Sequence, residues 1–204
     1  MGRRPENGPD ERGARGTILP LFPLNAVLVP GATLSLQIFE PRYRELLRRC
    51  RAGPETFGVV LIREGREVGG PAVPFAIGTE AEIVAVDDLP GGRAHVLVEG
   101  RRRFAIRRTL NGKAYLEGEV EFLPEPLGEA ESWRRTVLDL LETADPGIEP
   151  RSCDALDLSY RLADLLAVEP EEKQELLEAT DVAVRLQKEA VLLLRTRTPE
   201  RGAS

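Results

Sequence analysis

Histidine is almost absent: His95 is the only one in 204 residues. A histidine-based zinc site and a Ser-His-Asp triad each need a well-placed imidazole. His95 falls inside the alternating stretch AHVLVEG, where an ordinary strand residue is the simpler reading. Cysteine is nearly as scarce. Cys50 and Cys153 lie far apart and form no Cys-x-x-Cys pair, which favours two reduced thiols over a disulfide or a metal site. No apolar run approaches the roughly 20 residues of a membrane-spanning helix. The first sixteen residues, MGRRPENGPDERGARG, have no apolar core of the signal-peptide kind. The expectation is a cytoplasmic protein that meets no membrane.

Catalytic motifs are missing as well. Gly112-Lys113 is the only Gly-Lys pair, and a phosphate-binding loop would need Gly where Arg107 stands and Ser or Thr where Ala114 stands. There is no Gly-x-Ser-x-Gly elbow and no His-Glu-x-x-His. The acidic residues alternate along strands or lie on helix surfaces, and nothing singles out a catalytic pair. No cofactor and no metal are expected. The net charge of −6 argues against nucleic acid as a general partner, because phosphate binding is mostly a cationic effect. Aromatic residues for base stacking make up only 5% of the chain.

What is present falls into two textures. Residues 1–16 read as a disordered tail rich in Gly, Pro and charge, and 199–204 as a second one. Residues 17–126 read as β structure, and residues 127–198 as helix. The β part opens with ILPLFPLNAVLVPG, where Pro20, Pro23 and Pro30 forbid a helix and confine pairing to edges and bends. Leu34, Leu36 and Ile38 alternate with Ser35 and Gln37, which predicts a half-buried strand. Pro41 opens a short helix whose Tyr43, Leu46, Leu47 and Cys50 face the core. Phe57–Ile62 is a continuous apolar run, expected to be buried on both faces. Ala81, Ile83 and Ala85 alternate with Glu80 and Glu82. Asn111-Gly112 is the strongest hairpin signal and predicts a type I′ turn. Beyond it, Leu116, Val120 and Phe122 share one face, with Glu117, Glu119 and Glu121 on the other. The total is about six or seven strands, mostly antiparallel, which a closed or nearly closed barrel would bury.

The helical part has period 3.6. Trp133, Val137, Leu140 and Leu141 form one stripe, broken at Asp145-Pro146-Gly147. Asp154 can cap a second helix with Ala155, Leu158, Leu162, Leu165 and Leu166 inward. Pro170 opens a third. Asp181 can cap a fourth, with Val182, Leu186, Ala190 and Leu193 on one face. The predicted class is α+β: an antiparallel β pseudobarrel with one inserted short helix, followed by a bundle of about four helices.

Two features stand out as candidate surfaces. Arg101, Arg102 and Arg103, with Arg107 and Arg108 close behind, could form a patch for phosphate or an acidic partner. Alternatively, strand alternation sends some of them to solvent and the acidic strands pair with the rest. The proline-punctuated apolar run from Leu19 to Pro30, with Leu21, Phe22, Leu24 and Val27, could receive an extended peptide by edge pairing or in a groove. Core closure is the competing reading for most of these side chains.

Three stretches in order carry a resemblance to a known family. LPLFPLNAVLVPGATLSLQIFEPRYRELL resembles the opening of the N-terminal domain of the Lon proteases, with its L-P-L-F-P-L start, V-L-x-P-G step and I-F-E-x-R-Y ending. IGTEAEIVAVDDLPGGRAHVLVEGRRRFAI is similar to that family's G-T-x-A-x-I and V-x-G-x-x-R-F segments, and LADLLAVEPEEKQELLEATDVAVRLQKEAVLLL to its helical part. The resemblance covers about Ile18 to Leu194. It implies a PUA-like pseudobarrel followed by a helical bundle, as a stand-alone substrate-binding domain without the family's ATPase and Ser-Lys protease parts, and therefore not an enzyme.

The matching positions are Pro20, Phe22, Pro23, Leu24, Pro30, Gly31, Phe39, Glu40, Arg42, Tyr43, Gly78, Thr79, Gly100, Arg103 and Phe104. Most read as architectural. Glu40, Arg42 and Arg103 are the polar exceptions, as open to an internal ion pair or a cap as to a ligand contact. The implied function is non-catalytic binding of unfolded or extended polypeptides, or of a partner protein, in protein quality control. The alternative is an RNA-binding PUA-like module acting through Arg101–Arg108. The oligomeric state stays open.

Overall fold

A computed structural model describes residues 16–142 and 153–197. Apart from Gly16, the two expected tails lie outside the described residues, as does the Asp145-Pro146-Gly147 break. The elements run β1 (Thr17–Leu24), β2 (Thr33–Ile38), α1 (Pro41–Arg51), β3 (Thr56–Gly65), β4 (Ala72–Pro74) and β5 (Ile77–Leu89). They continue through β6 (Arg93–Leu110), β7 (Leu116–Phe122), α2 (Ala130–Glu142), α3 (Ala155–Leu165), α4 (Pro170–Leu177) and α5 (Val182–Arg197).

The proline-bearing first strand closes the barrel. From Thr17 to Leu21 it pairs antiparallel with β7, and from Leu21 to Leu24 it pairs parallel with β3. Pro20 therefore has a partner only in Glu117 and Pro23 only in Val60. Each proline meets a neighbour on one side alone, so its missing N–H interrupts no central ladder. The ring runs β1-β7-β6-β5-β3 and back to β1, with β2 on β6 and β4 on β3. Every pairing except β1–β3 is antiparallel. This is the expected α+β pseudobarrel with its inserted helix, followed among the described residues by four helices. Leu19, Leu21, Val60, Phe104 and Val120 fill one cluster, against which Leu116 and Phe122 of β7 pack. A larger core joins α1 and β2 to the helical bundle.

The arginine run owes its geometry to two irregularities in β6. Strict alternation would put Arg101 and Arg103 on one face. The register instead shifts between Thr79/Ala81 of β5, so that Gly100 and Arg103 are the flanking partners. The extra residue sends both Arg101 and Arg102 outward and Arg103 inward. A second shift between Ile106 and Arg108 leaves Arg107 and Arg108 both exposed.

Three expectations need correction. The Asn111-Gly112 turn is not type I′: only Gly112 has positive φ, at 131°, and β6 ends at Leu110 while β7 starts at Leu116. Tyr115 is buried in the core, and reaching it pulls the connection out into a longer loop. On β5 the inward series breaks at a shift between Ile83 and Ala85. Val84 and Ala85 are exposed, and Val86 takes over the inward position. Leu165 is exposed rather than part of the α3 stripe, because the helix stops there and the extended Leu166 turns into the core. The caps are as read. Asp154 accepts from the Asp157 N–H at 2.9 Å, and Asp181 from the Val184 N–H at 2.8 Å.

Candidate functional site

The segment Ile38-Phe39-Glu40-Pro41-Arg42-Tyr43 builds a groove beside β2. Pro41 starts α1, and the Glu40 backbone at the cap position is extended with no side-chain capping bond. The Glu40 carboxylate is therefore free for other donors. It pairs with Arg42 at 3.2 Å and accepts the Gly69 N–H at 3.2 Å. Arg42 donates to the carbonyls of Glu67 at 2.9 Å and Gly70 at 3.0 Å. The Glu67 carboxylate accepts the Asn25 N–H at 3.0 Å. These bonds hold the loop between β3 and β4 over the start of α1. Tyr43 stacks on Phe22 with ring centroids 4.1 Å apart and lies under the Arg42 guanidinium at 4.5 Å. Burial pushes the Tyr43 phenol up to about 12, so it stays neutral.

The result is a groove of about 370 Å³ with Phe22, Leu24, Leu36 and Tyr43 along it. Two large apolar side chains, Phe39 at 48% exposure and Val68 at 53%, stand on its walls. Strand β2 pairs with β6 alone, so among the described residues its other edge is open.

The arginine cluster is neutralised by neighbouring strands. Arg101 binds Glu82 at 2.6 Å and Glu99 at 2.9 Å, and Arg102 binds Glu80 at 2.9 Å while covering the Phe122 ring at 3.7 Å. Arg107 reaches Glu121 at 2.7 Å and Arg108 reaches Glu119 at 2.8 Å. No helix among the described residues is long and apolar enough to cross a membrane. Among the same residues no group of three or more His, Cys, Asp or Glu is placed to hold a metal ion.

A family model described as the ATP-dependent protease La (LON) substrate-binding domain matches residues 18–195. The chain belongs to the Lon substrate-binding domain family. It is 34% identical over 180 residues to a Lon protease of Paraburkholderia phytofirmans, covering 80% of this chain and 22% of the relative. A Lon protease of Koribacter versatilis is 31% identical over 201 residues, covering 90% and 24%. The chain thus spans less than a quarter of the length of these relatives. The crystal structure of a Lon N-terminal domain protein from Xanthomonas campestris superposes with a TM-score of 0.67 at 33% identity, over 90% of this chain and 99% of that one. The N-terminal domain of a Mycobacterium avium complex Lon protease shares the fold, with a TM-score of 0.68 at 20% identity, over 87% and 98%.

Within this Lon-type domain the sequence candidates separate. Phe22 and Leu24 belong to the groove, but Leu21 is fully buried on the barrel side and Val27 packs against the larger core. The apolar run is therefore not an exposed strip: closing the barrel consumes most of it, and the exposed apolar surface comes from Phe39 and Val68. Pro30, Gly31 and Gly100 meet Arg101, Arg102 and Arg103 at a cleft of about 430 Å³ between barrel and helices. Gly31 has a φ of 79° and donates to the Gly100 carbonyl at 2.8 Å. A Cβ on Gly100 would collide with the Val29 carbonyl oxygen. The Thr79 hydroxyl donates to the Leu28 carbonyl at 2.6 Å. Gly78 lies opposite Phe104, which is fully buried.

Arg103 is not a surface residue. It is 2% exposed, binds Glu125 at 2.7 and 3.0 Å, and donates to the carbonyls of Leu177 and Ala179 at 2.7 Å each. Arg185 of α5, at 0% exposure, completes the network. It binds Glu125 at 3.1 Å and the Ser159 hydroxyl at 3.0 Å, and lies 4.0 Å over the Tyr160 ring. Tyr160 donates to Glu125. Burial acts to raise the Glu125 carboxyl, but hydrogen bonds from Arg103 and Tyr160 and the two guanidinium charges outweigh it and hold it below the usual range. Sequence reading missed Glu125, Arg185 and Glu189. The signal was there for the last two, which fall beside Leu186 and Ala190 on the apolar side of α5.

Cys50 is buried and its Sγ lies 3.4 Å from the Thr56 carbonyl. Burial pushes its thiol up to about 11. Iodoacetamide at pH 8 is expected to modify Cys50 more than about a hundredfold more slowly in native protein than in urea, followed by peptide mass mapping.

Proposed function

We propose that this Lon-type domain is a non-catalytic module that holds exposed apolar or extended segments of other polypeptides, in cytoplasmic protein quality control. The groove between β2 and the start of α1 is where it holds them. One observation carries the reading: Phe39 and Val68 stand about half exposed on the walls of a groove that Phe22, Leu24, Leu34, Leu36 and Tyr43 also line. Large apolar side chains gathered in a concave site favour contact with apolar ligand. Membership of a family described by its substrate-binding role supports the same reading. The motif residues Glu40 and Arg42 serve it indirectly, by fixing the loop that carries Val68.

Binding of a labelled, reduced and carboxymethylated lactalbumin, read by fluorescence anisotropy, tests this. Phe39→Ala and Val68→Asp are expected to weaken binding at least about tenfold each, the scale of removing a central apolar anchor. Leu127→Ala removes a leucine of 56% exposure outside the groove and is expected to bind as the parent does. Unchanged affinity in both groove variants would overturn the proposal.

A further inference from the structure

We infer that the groove takes an extended, basic segment that adds as a new strand to the open edge of β2; this rests on the groove reading above. The ladder dictates which backbone groups are available. The Gly100 N–H donates to the Ala32 carbonyl at 2.9 Å, one residue before the Thr33–Glu99 pair. Hydrogen-bonded and non-hydrogen-bonded pairs alternate along antiparallel strands. Leu34, Leu36 and Ile38 therefore turn their backbone groups toward β6. Thr33, Ser35 and Gln37 turn theirs to the open edge, and none of these three bonds to another described element through its backbone.

The side chains point to the same mode. Leu34 and Leu36 form the apolar side of the groove with Phe22, Leu24 and Tyr43, and Ser35 and Gln37 line its exposed side. A strand laid against β2 would set every second side chain on that apolar surface and the others in solvent beside Ser35 and Gln37. Charge selects the flanks. Among the described residues the charged ones lining the groove are Glu40 and Glu67, with no Lys or Arg. Glu40 is neutralised by Arg42, whereas among the described residues the Glu67 carboxylate accepts from the Asn25 N–H and pairs with no cation. The segment that fits alternates apolar and polar residues and carries Lys or Arg at the end that reaches Glu67.

The probe is a labelled peptide of alternating Leu or Phe and Ser with lysine at both ends. Two versions carry N-methyl groups on opposite alternate residues. One version is expected to lose at least about tenfold in affinity, since it forfeits more than one backbone hydrogen bond, and the other to bind within about threefold of the parent. Exchanging the lysines for glutamate is expected to weaken binding further. Ser35→Pro removes one outward N–H from an edge strand while sparing the β6 ladder, and is expected to weaken the parent peptide with its melting transition unchanged. If both methylated versions bind like the parent while Phe39→Ala abolishes binding, strand addition is overturned and the groove reading stands. If Phe39→Ala has no effect on any peptide, the groove reading itself fails. A dimer in sedimentation that Ser35→Pro converts to monomer would also overturn the inference, because the edge would then belong to a second copy of the chain.

Discussion

The Arg103→Ala variant is expected to lose about 3–5 kcal/mol of unfolding free energy, the scale of breaking a buried charge network from one side. In a chain of this size that lowers the melting temperature by roughly 6–20 °C. Arg103 comes from β6, Glu125 from the segment joining barrel to bundle, and Arg185 from α5. Arg103 also donates to three carbonyls: that of Pro124 beside Glu125, and those of Leu177 and Ala179, at and just beyond the end of α4. Alanine would leave those carbonyls without their guanidinium and Glu125 with one cation fewer. Urea titration of the variant reads the loss. In a Glu189→Gln background, replacing Arg103, Glu125 and Arg185 together by Met, Leu and Met should cost less, since no charge of the network is then stranded. Equal losses in the single and triple variants would show that packing volume rather than charge holds the network.

The pH dependence follows from Glu125. Its folded carboxyl lies below the ordinary value of 4.5, so its stabilisation is complete above that value and is lost as pH falls through the folded one. The gap between parent and Arg103→Ala is expected to narrow in acid. A gap that stays constant down to the acid transition would count against this role for the pair.

Glu189 has the opposite sign. It is 0% exposed on α5, and among the described residues neither carboxylate oxygen has a hydrogen-bond partner. Burial pushes its carboxyl well above 4.5, only partly countered by Arg185. A folded value above the unfolded one favours the native state fully below pH 4.5, and that advantage fades as pH rises through the folded value. Glu189→Gln should therefore match the parent in mild acid and exceed it increasingly on going to pH 8, gaining up to about 1.4 kcal/mol per pH unit in that window. Glu189→Met, which also removes the unpaired polar atoms, is expected to exceed Glu189→Gln by about 1–3 kcal/mol at every pH. Chemical denaturation at four pH values reads both. A parent whose stability rises steadily from pH 5 to pH 8 while Glu189→Gln stays flat would refute the assignment.

The period of the apolar pattern was enough to find α1 with its inward Tyr43, Leu46, Leu47 and Cys50, the buried run of β3, and the four later helices with their Asp154 and Asp181 caps. Such features depend on residues close in sequence, where side-chain direction follows directly from the local period. The family motifs were legible for the same reason, and among them Phe39, Glu40 and Tyr43 line the groove while Arg42 binds Glu40 beside it. The groove itself was not legible. Val68 enters it only because Glu40 and Arg42 clamp a loop 25 to 29 residues away, a contact no local pattern encodes.

The same division explains the arginines and the core. Composition announced the cluster, but single-residue register shifts in β6 decided that Arg101 and Arg102 face outward and Arg103 inward. Leu21 looked like a candidate contact because it is apolar, and barrel closure between β7 and β3 buried it. Arg185 and Glu189 lie beside the apolar stripe of α5. Only the packing of α5 against α2, α3 and α4 makes one a fully partnered cation and the other an unpartnered acid. The sequence determined the elements and their apolar faces, because period and turn chemistry act locally. The tertiary structure decided which charges are buried, which edge is open and where the groove lies, because burial and pairing depend on residues far apart in the chain.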